Sequence, residues 1–212
     1  MSMPTKQDAI KLLDVFDPEM AGLLHREERR QFETIGLIAS ENVASPLSTC
    51  LEGSVFTNKN TEGYPGKRFV GGCELADQAE LLALERVKKV FGAEHANIQS
   101  GNATIANCAV LTGLLERGDT FLGLTLDNGG HLSHGAKFHY SGREFKAYHY
   151  GVNKETERID MEQVRQMALQ YHPKLIVTGA SSYPRAIDYA AFRKICDEVG
   201  AYFWVDCAHD IG

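Results

Sequence analysis

The 212-residue sequence has no CxxC pair among its five cysteines, a single tryptophan, no apolar run of membrane-spanning length and no excess of basic over acidic side chains. Each absence removes a class of protein. Cys50, Cys73, Cys108, Cys196 and Cys207 are odd in number and widely scattered, which argues against a disulfide framework or a zinc knuckle and for a reducing compartment. No metal site is expected. Twenty-two basic against 28 acidic side chains give a net charge of −6, without the basic stripe that neutralises a phosphate backbone, so nucleic acid is not the expected partner. The opening stretch MSMPTKQDAIKLLDVFDPEM mixes charges into its apolar positions, unlike a signal peptide, and no later segment is long enough for a bilayer. A soluble, cytoplasmic protein with no membrane partner is expected. What is present is 43% hydrophobic residues, enough to bury a sizeable core.

Residues up to about Gln31 read as two short amphipathic helices, and 1–41 as an N-terminal helical arm. From Asn42 to Cys73 the chain is rich in Gly, Asn, Ser, Thr and Pro, culminating in NTEGYPGKRFVGG. A loop of that length is commonly functional or an interface. ELADQAELLALERVKKVFG then has helical spacing with Gly92 at its end. HANIQ reads as a short strand, followed by a helix carrying Ile105, Ala109, Leu111 and Leu114. GDTFLGLTL and FKAYHY read as strands, and Asp160 opens a helix with Gln163 three residues on, as in a capping box. KLIVTGA is a strand, DYAAFRKICDEVG a helix and AYFWVD a strand. This alternation predicts right-handed βαβ units and an α/β protein with a mostly parallel sheet flanked by helices.

In such sheets ligands sit beyond the carboxyl ends of the strands, so DNGGH at 127–131, GASS at 179–182 and DCAH at 206–209 should converge. Asp206 ends an apolar strand, where an ionised carboxylate is costly unless it meets a cation, such as the protonated ring nitrogen of pyridoxal phosphate. His131, after two glycines, could stack on that ring, and Ser181 could bond its hydroxyl. The helix N-terminus near 101–104 offers N–H groups for a phosphate. Each residue also has an ordinary reading: Asp206 as a cap for the next helix, His131 as a loop residue, Ser181 as part of a βα turn.

LIASEN (37–42), TNKNTEGYPGKRFVGGCE (57–74), FGAEHAN (91–97), DNGGHLSHG (127–135), KLIVTGAS (174–181) and EVGAYFWVDCAH (198–209) together resemble serine hydroxymethyltransferase, also called glycine hydroxymethyltransferase. The resemblance runs in register over nearly the whole chain. It implies a fold-type I enzyme with an aspartate-aminotransferase-like large domain, pyridoxal 5'-phosphate as cofactor and tetrahydrofolate as co-substrate, interconverting serine and glycine. Catalytic roles would fall to Glu62, His131, Asp206 and His209. The cofactor would be held by Ser100, Gly101, Asn102, Ala103, Thr104, His131, Ser181, Asp206 and His209. Ser40 and Glu62 would meet the amino acid, and Leu126, Gly130 and Leu132 would line the folate site. A homodimer or tetramer is implied, with Glu62 serving the neighbouring subunit.

Several positions depart from the family pattern. The phosphate loop, aligned without gaps, has Asn102, Ala103 and Thr104; a shifted register would use Ser100 and Gly101. Asn60, Phe69 and Val70 stand where the family has tyrosines, removing hydroxyl donors. The family's Schiff-base lysine and small C-terminal domain would lie beyond Gly212, so 42–212 is expected to be the first part of a large domain that is incomplete here, and the segment alone to be inactive. Two other functions fit these departures: a folate-independent aldolase or transaldolase acting on threonine-like or α-methylserine-like substrates, and a degenerate, non-catalytic paralogue.

Overall fold

The computed structural model describes residues 6–211. The described chain divides into a unit ending at Asn42 and a unit beginning at Val43. The first holds helices α1 (Lys6–Phe16) and α2 (Pro18–Glu33). Asp17 starts α2 by accepting the Met20 N–H at 3.0 Å, with Pro18 in the first turn, where its missing N–H is not needed. His25 Nε2 lies 3.0 Å from Asp14 Oδ1 and ties the two helices together. A turn closed by the Glu41 N–H on the Ile38 carbonyl at 3.0 Å follows, and Ser40 sits exposed within it.

In the second unit the expected long loop is partly structured. It contains α3 (Pro46–Glu52), a 3-10 turn at Val55–Asn58, and a two-stranded hairpin of β1 (Gly63–Tyr64) and β2 (Lys67–Arg68). Arg68 organises this hairpin: its guanidinium pairs with Asp77 at 2.7 Å and with Glu80, and donates to the Thr61 and Gly63 carbonyls at 2.7 and 2.6 Å. Both carboxylates lie on α4 (Glu74–Phe91), which Gly92 closes at φ 62°. Residues 95–99, expected as a strand, are irregular. The Asn97 side chain takes the Gln99 N–H at 2.9 Å, and the segment joins neither sheet.

Next come α5 (Ala103–Leu114), β3 (Thr120–Leu124), α6 (Tyr140–Glu144), β4 (Lys146–Tyr150), α7 (Met161–Tyr171), β5 (Leu175–Thr178), α8 (Tyr189–Val199) and β6 (Tyr202–Val205). The four strands form one parallel sheet in the order β4-β3-β5-β6, giving the α/β architecture expected. Alternate strand residues feed two cores. Leu122, Leu124, Tyr150 and Ile176 pack with Val164 of α7 and Phe192 of α8, while Phe121, Leu175 and Val177 pack with Leu111 of α5. All of these are fully buried. Asp160 caps α7 through the Gln163 N–H at 3.0 Å, but the expected capping box is not reciprocal. The Gln163 side chain turns to the Gly151 N–H at 2.7 Å, and the Asp160 N–H goes to the Gly151 carbonyl at 3.2 Å.

No residue of α4 is buried, although it carries Leu75, Leu81, Leu82, Val90 and Phe91. Among the described residues no helix is long and apolar enough to cross a membrane.

Candidate active site

The three strand-end segments do converge. The N–H groups of Ser181 and Ser182 both donate to the Gly129 carbonyl, at 2.8 and 3.2 Å, tying the loop after β5 to the loop after β3. The Asp206 N–H donates to the Thr178 carbonyl at 2.8 Å, extending the β5–β6 pairing to the first residue past the strand. Glycine is required where these loops touch. At Gly129, with φ 100°, a Cβ would lie 2.6 Å from the Tyr183 nitrogen, and at Gly130 it would lie 2.1 Å from the Leu124 carbonyl oxygen. The backbone pair preceding His131 therefore packs where no side chain fits.

Asp206 is the electrostatic centre. Its side chain is 11% exposed. Oδ2 lies 2.8 Å from His134 Nε2 and accepts from Asn107 Nδ2 at 2.8 Å, while Oδ1 accepts the Ala208 N–H at 3.2 Å. Burial alone would raise this carboxyl; the bonds from His134 and Asn107, the charge of His134 and the Ala208 N–H outweigh it and hold Asp206 at about 2. The group is therefore an ionised carboxylate. The sign of the linkage follows: a carboxyl lowered from 3.8 to about 2 contributes stability above pH ~4, and that contribution is lost as pH falls through about 2. Acid unfolding of the native sequence and of Asp206→Asn should thus differ by on the order of 2 kcal/mol at pH 6 and converge toward pH 2. A difference that stays constant with pH would contradict the assignment.

His131 faces the same network. Its Nδ1 lies 2.7 Å from Ser133 Oγ and accepts the Ser133 N–H at 3.2 Å, so the imidazole caps the 3-10 turn Leu132–His134. Burial pushes its pKa down, and the neighbouring His134 pushes in the same direction. The His209 ring centroid is 6.1 Å from that of His131, and the His134 ring meets Trp204 edge-on at 5.5 Å. Donor atoms of His131, His134 and Asp206 lie within 4.8 Å of one another. Asp206 Oδ2 is already engaged by His134 and Asn107, which makes this a hydrogen-bonded charge site first and a cation site only if those bonds open.

The other expected residues fall around this centre or apart from it. Leu126 and His131 line a pocket of about 280 Å³ with Leu124, Lys137, Phe138 and His149; Gly130 and Leu132 flank His131 in sequence. Residues 100–104 lie at the start of α5, whose later turn carries Asn107. Asn102 caps that helix by accepting the Ile105 N–H at 2.9 Å, so one first-turn donor is already used and those of Ala103 and Thr104 precede it. Ser181 sits in the tied loop. Glu62 is exposed and lines a separate cleft of about 560 Å³ with Lys59, Asn60, Arg68, Glu80 and Gln99. Ser40 belongs to the first unit.

Three polar residues of the network, Asn107, Ser133 and His134, were not expected from sequence. His134 stands three residues after His131 in GGHLSHG, so both project from one turn. Asn107 shares the buried face of α5 with Leu111, and an amide on an apolar helical stripe is the signal that marks it.

A family model described as serine hydroxymethyltransferase matches residues 13–212. Among curated relatives bearing that name, one from Synechococcus sp. (strain JA-3-3Ab) is 50% identical over 210 residues, covering 99% of this chain and 48% of its own length. One from Coprothermobacter proteolyticus is 53% identical over 196 residues, covering 92% and 47%. One from Lactobacillus acidophilus is 52% identical over 195 residues, covering 92% and 47%. The chain spans about half the length of the curated relatives it matches.

Proposed function

The chain belongs to the serine hydroxymethyltransferase family, and from that membership we propose that the protein moves the hydroxymethyl group of serine to a tetrahydrofolate carrier, leaving glycine, with pyridoxal phosphate as cofactor. When bound, that cofactor supplies an electron sink for the pair left at the substrate α-carbon as its bond to the β-carbon breaks. The single observation that carries the reading is the part-buried, ionised Asp206, held by His134 and Asn107 at the carboxyl end of β6.

In this reading Asp206 would offer its carboxylate to the protonated ring nitrogen of the cofactor and stabilise that charge. His131 and His209 would help hold the ring, and Ser181 would bond its hydroxyl. Residues 100–104 give backbone and side-chain donors to the phosphate, supported by the positive end of α5. Glu62 handles the proton of the substrate hydroxyl, Ser40 helps hold the substrate carboxylate, and Leu126, Gly130 and Leu132 receive the folate. The protein works in the cytoplasm as a homodimer or higher assembly. The exposed apolar side chains of α4, together with Phe69 at 81% exposure, support a face that a second copy covers.

The test is serine cleavage by the full-length protein with and without tetrahydrofolate. Cleavage should rise steeply with folate; full-rate cleavage without it would overturn the proposal in favour of an aldolase, and no cofactor absorbance at all would favour a non-catalytic paralogue.

A further inference from the structure

The hydrogen atoms of the buried network can be assigned one by one from the charge of Asp206. An ionised carboxylate only accepts, so Asn107 must turn its amide nitrogen to it; the opposite orientation would set a carbonyl oxygen 2.8 Å from a carboxylate oxygen. The second amide hydrogen then goes to Ser133 Oγ, also at 2.8 Å. With its oxygen accepting from Asn107, Ser133 has its own hydroxyl hydrogen left to give, and His131 Nδ1 is 2.7 Å away. Nδ1 also receives the Ser133 N–H at 3.2 Å. A ring nitrogen with two donors aimed at it cannot itself carry hydrogen. Asn107 and Ser133 are 5% and 0% exposed, so water cannot stand in for either donor.

We infer that Asn107 and Ser133 are positioning residues that transmit the charge of Asp206 to His131 and hold its imidazole as the tautomer with hydrogen on Nε2. The use made of that tautomer, an imidazole presenting its Nε2–H edge to a bound ligand, rests on the function proposed above; the tautomer itself does not. The fold contains its own reference. His139 caps α6 in the same way, with Nδ1 2.9 Å from Ser141 Oγ and accepting the Ser141 N–H at 3.2 Å. There the serine oxygen accepts from the Gly135 N–H at 3.0 Å, so a backbone donor takes the place that Asn107 holds beside His131. The two histidines should share a tautomer for different reasons.

The experiment reads the imidazole carbons and nitrogens of the full-length protein, labelled at histidine and free of cofactor, by NMR, with His131 assigned through His131→Gln. His131 should carry hydrogen on Nε2. Ser133→Ala should weaken that preference about fivefold to tenfold, the size of one hydrogen bond, and Ser133→Thr, which keeps the hydroxyl, should restore it while His139 stays unmoved throughout. Hydrogen on His131 Nδ1 in the native sequence would overturn the inference. An unchanged ratio in a folded Ser133→Ala would do the same. Because no cofactor is present, failure of the proposed enzymatic activity would leave this readout intact, and the two failures are distinguishable.

Discussion

Asp206→Asn is expected to lower serine turnover of the full-length protein by on the order of 10²–10³-fold, the range seen when a single electrostatic group at a site of developing charge is lost. Under the proposed function, a neutral amide would not hold a proton on the cofactor's ring nitrogen, so the electron sink would weaken although the cofactor could still enter. The fold should survive. His134 Nε2 and Asn107 Nδ2 converge on Oδ2, and an asparagine whose carbonyl takes that place still accepts from both. Steady-state rates at saturating cofactor, with circular dichroism as the control for folding, decide the matter. Turnover like that of the native sequence would remove Asp206 from the chemistry, whatever the family resemblance.

Gly179→Ala, one residue past β5, should be strongly destabilising. Gly179 has φ 101°, a region that side-chain-bearing residues enter at a cost, and its Cβ would lie 1.8 Å from the Asp206 carbonyl oxygen and 2.7 Å from the carbonyl carbon. Those atoms are backbone and cannot swing aside. Strain of about 1–3 kcal/mol and overpacking of about 1–3 kcal/mol act together, and relief requires the ends of β5 and β6 to part. Thermal unfolding should shift down by about 2–4 °C for each kcal/mol lost, and cofactor affinity should fall with it, since the carboxylate rides on the displaced residue. Gly200 is the control. It also has positive φ, 72°, but a Cβ there meets nothing within 4 Å, so Gly200→Ala should cost only the backbone strain. Equal melting temperatures for the two variants would show that the close approach at Gly179 carries no energetic weight.

Most elements from α4 onward were legible because each is specified within its own span, whereas α3, the β1–β2 hairpin and α6 were not read from the sequence. LIVT reads as a strand buried on both faces and is buried at every position. Asp188 and Gly200 bracket α8 as cap and left-handed stop, and Asp160 opens α7 in the same way. Where reading failed, a side chain had a competing partner. The Asn97 side chain took the Gln99 N–H in HANIQ, which joins neither sheet, and the Gln163 side chain bonds the Gly151 N–H in place of the Asp160 N–H.

The amino-acid sequence by itself determined the alternating α/β pattern, the placing of Asp206 at a strand end and of His131 in the loop after β3, and the family to which the chain belongs, because apolar periodicity, caps and glycine stops act over a few residues. Only the tertiary structure decided what surrounds the carboxylate. Asn107 meets Asp206 across 99 positions, and His134 across 72. Both meetings depend on the strand order β4-β3-β5-β6 and on loops tied through Gly129 and Gly179. Long-range order of this kind leaves no local spacing to read, since the partners are chosen by which strand ends lie side by side. Burial supplies the physical reason that the arrangement is unique: a charge removed from water is stable only where donors from distant segments reach it together.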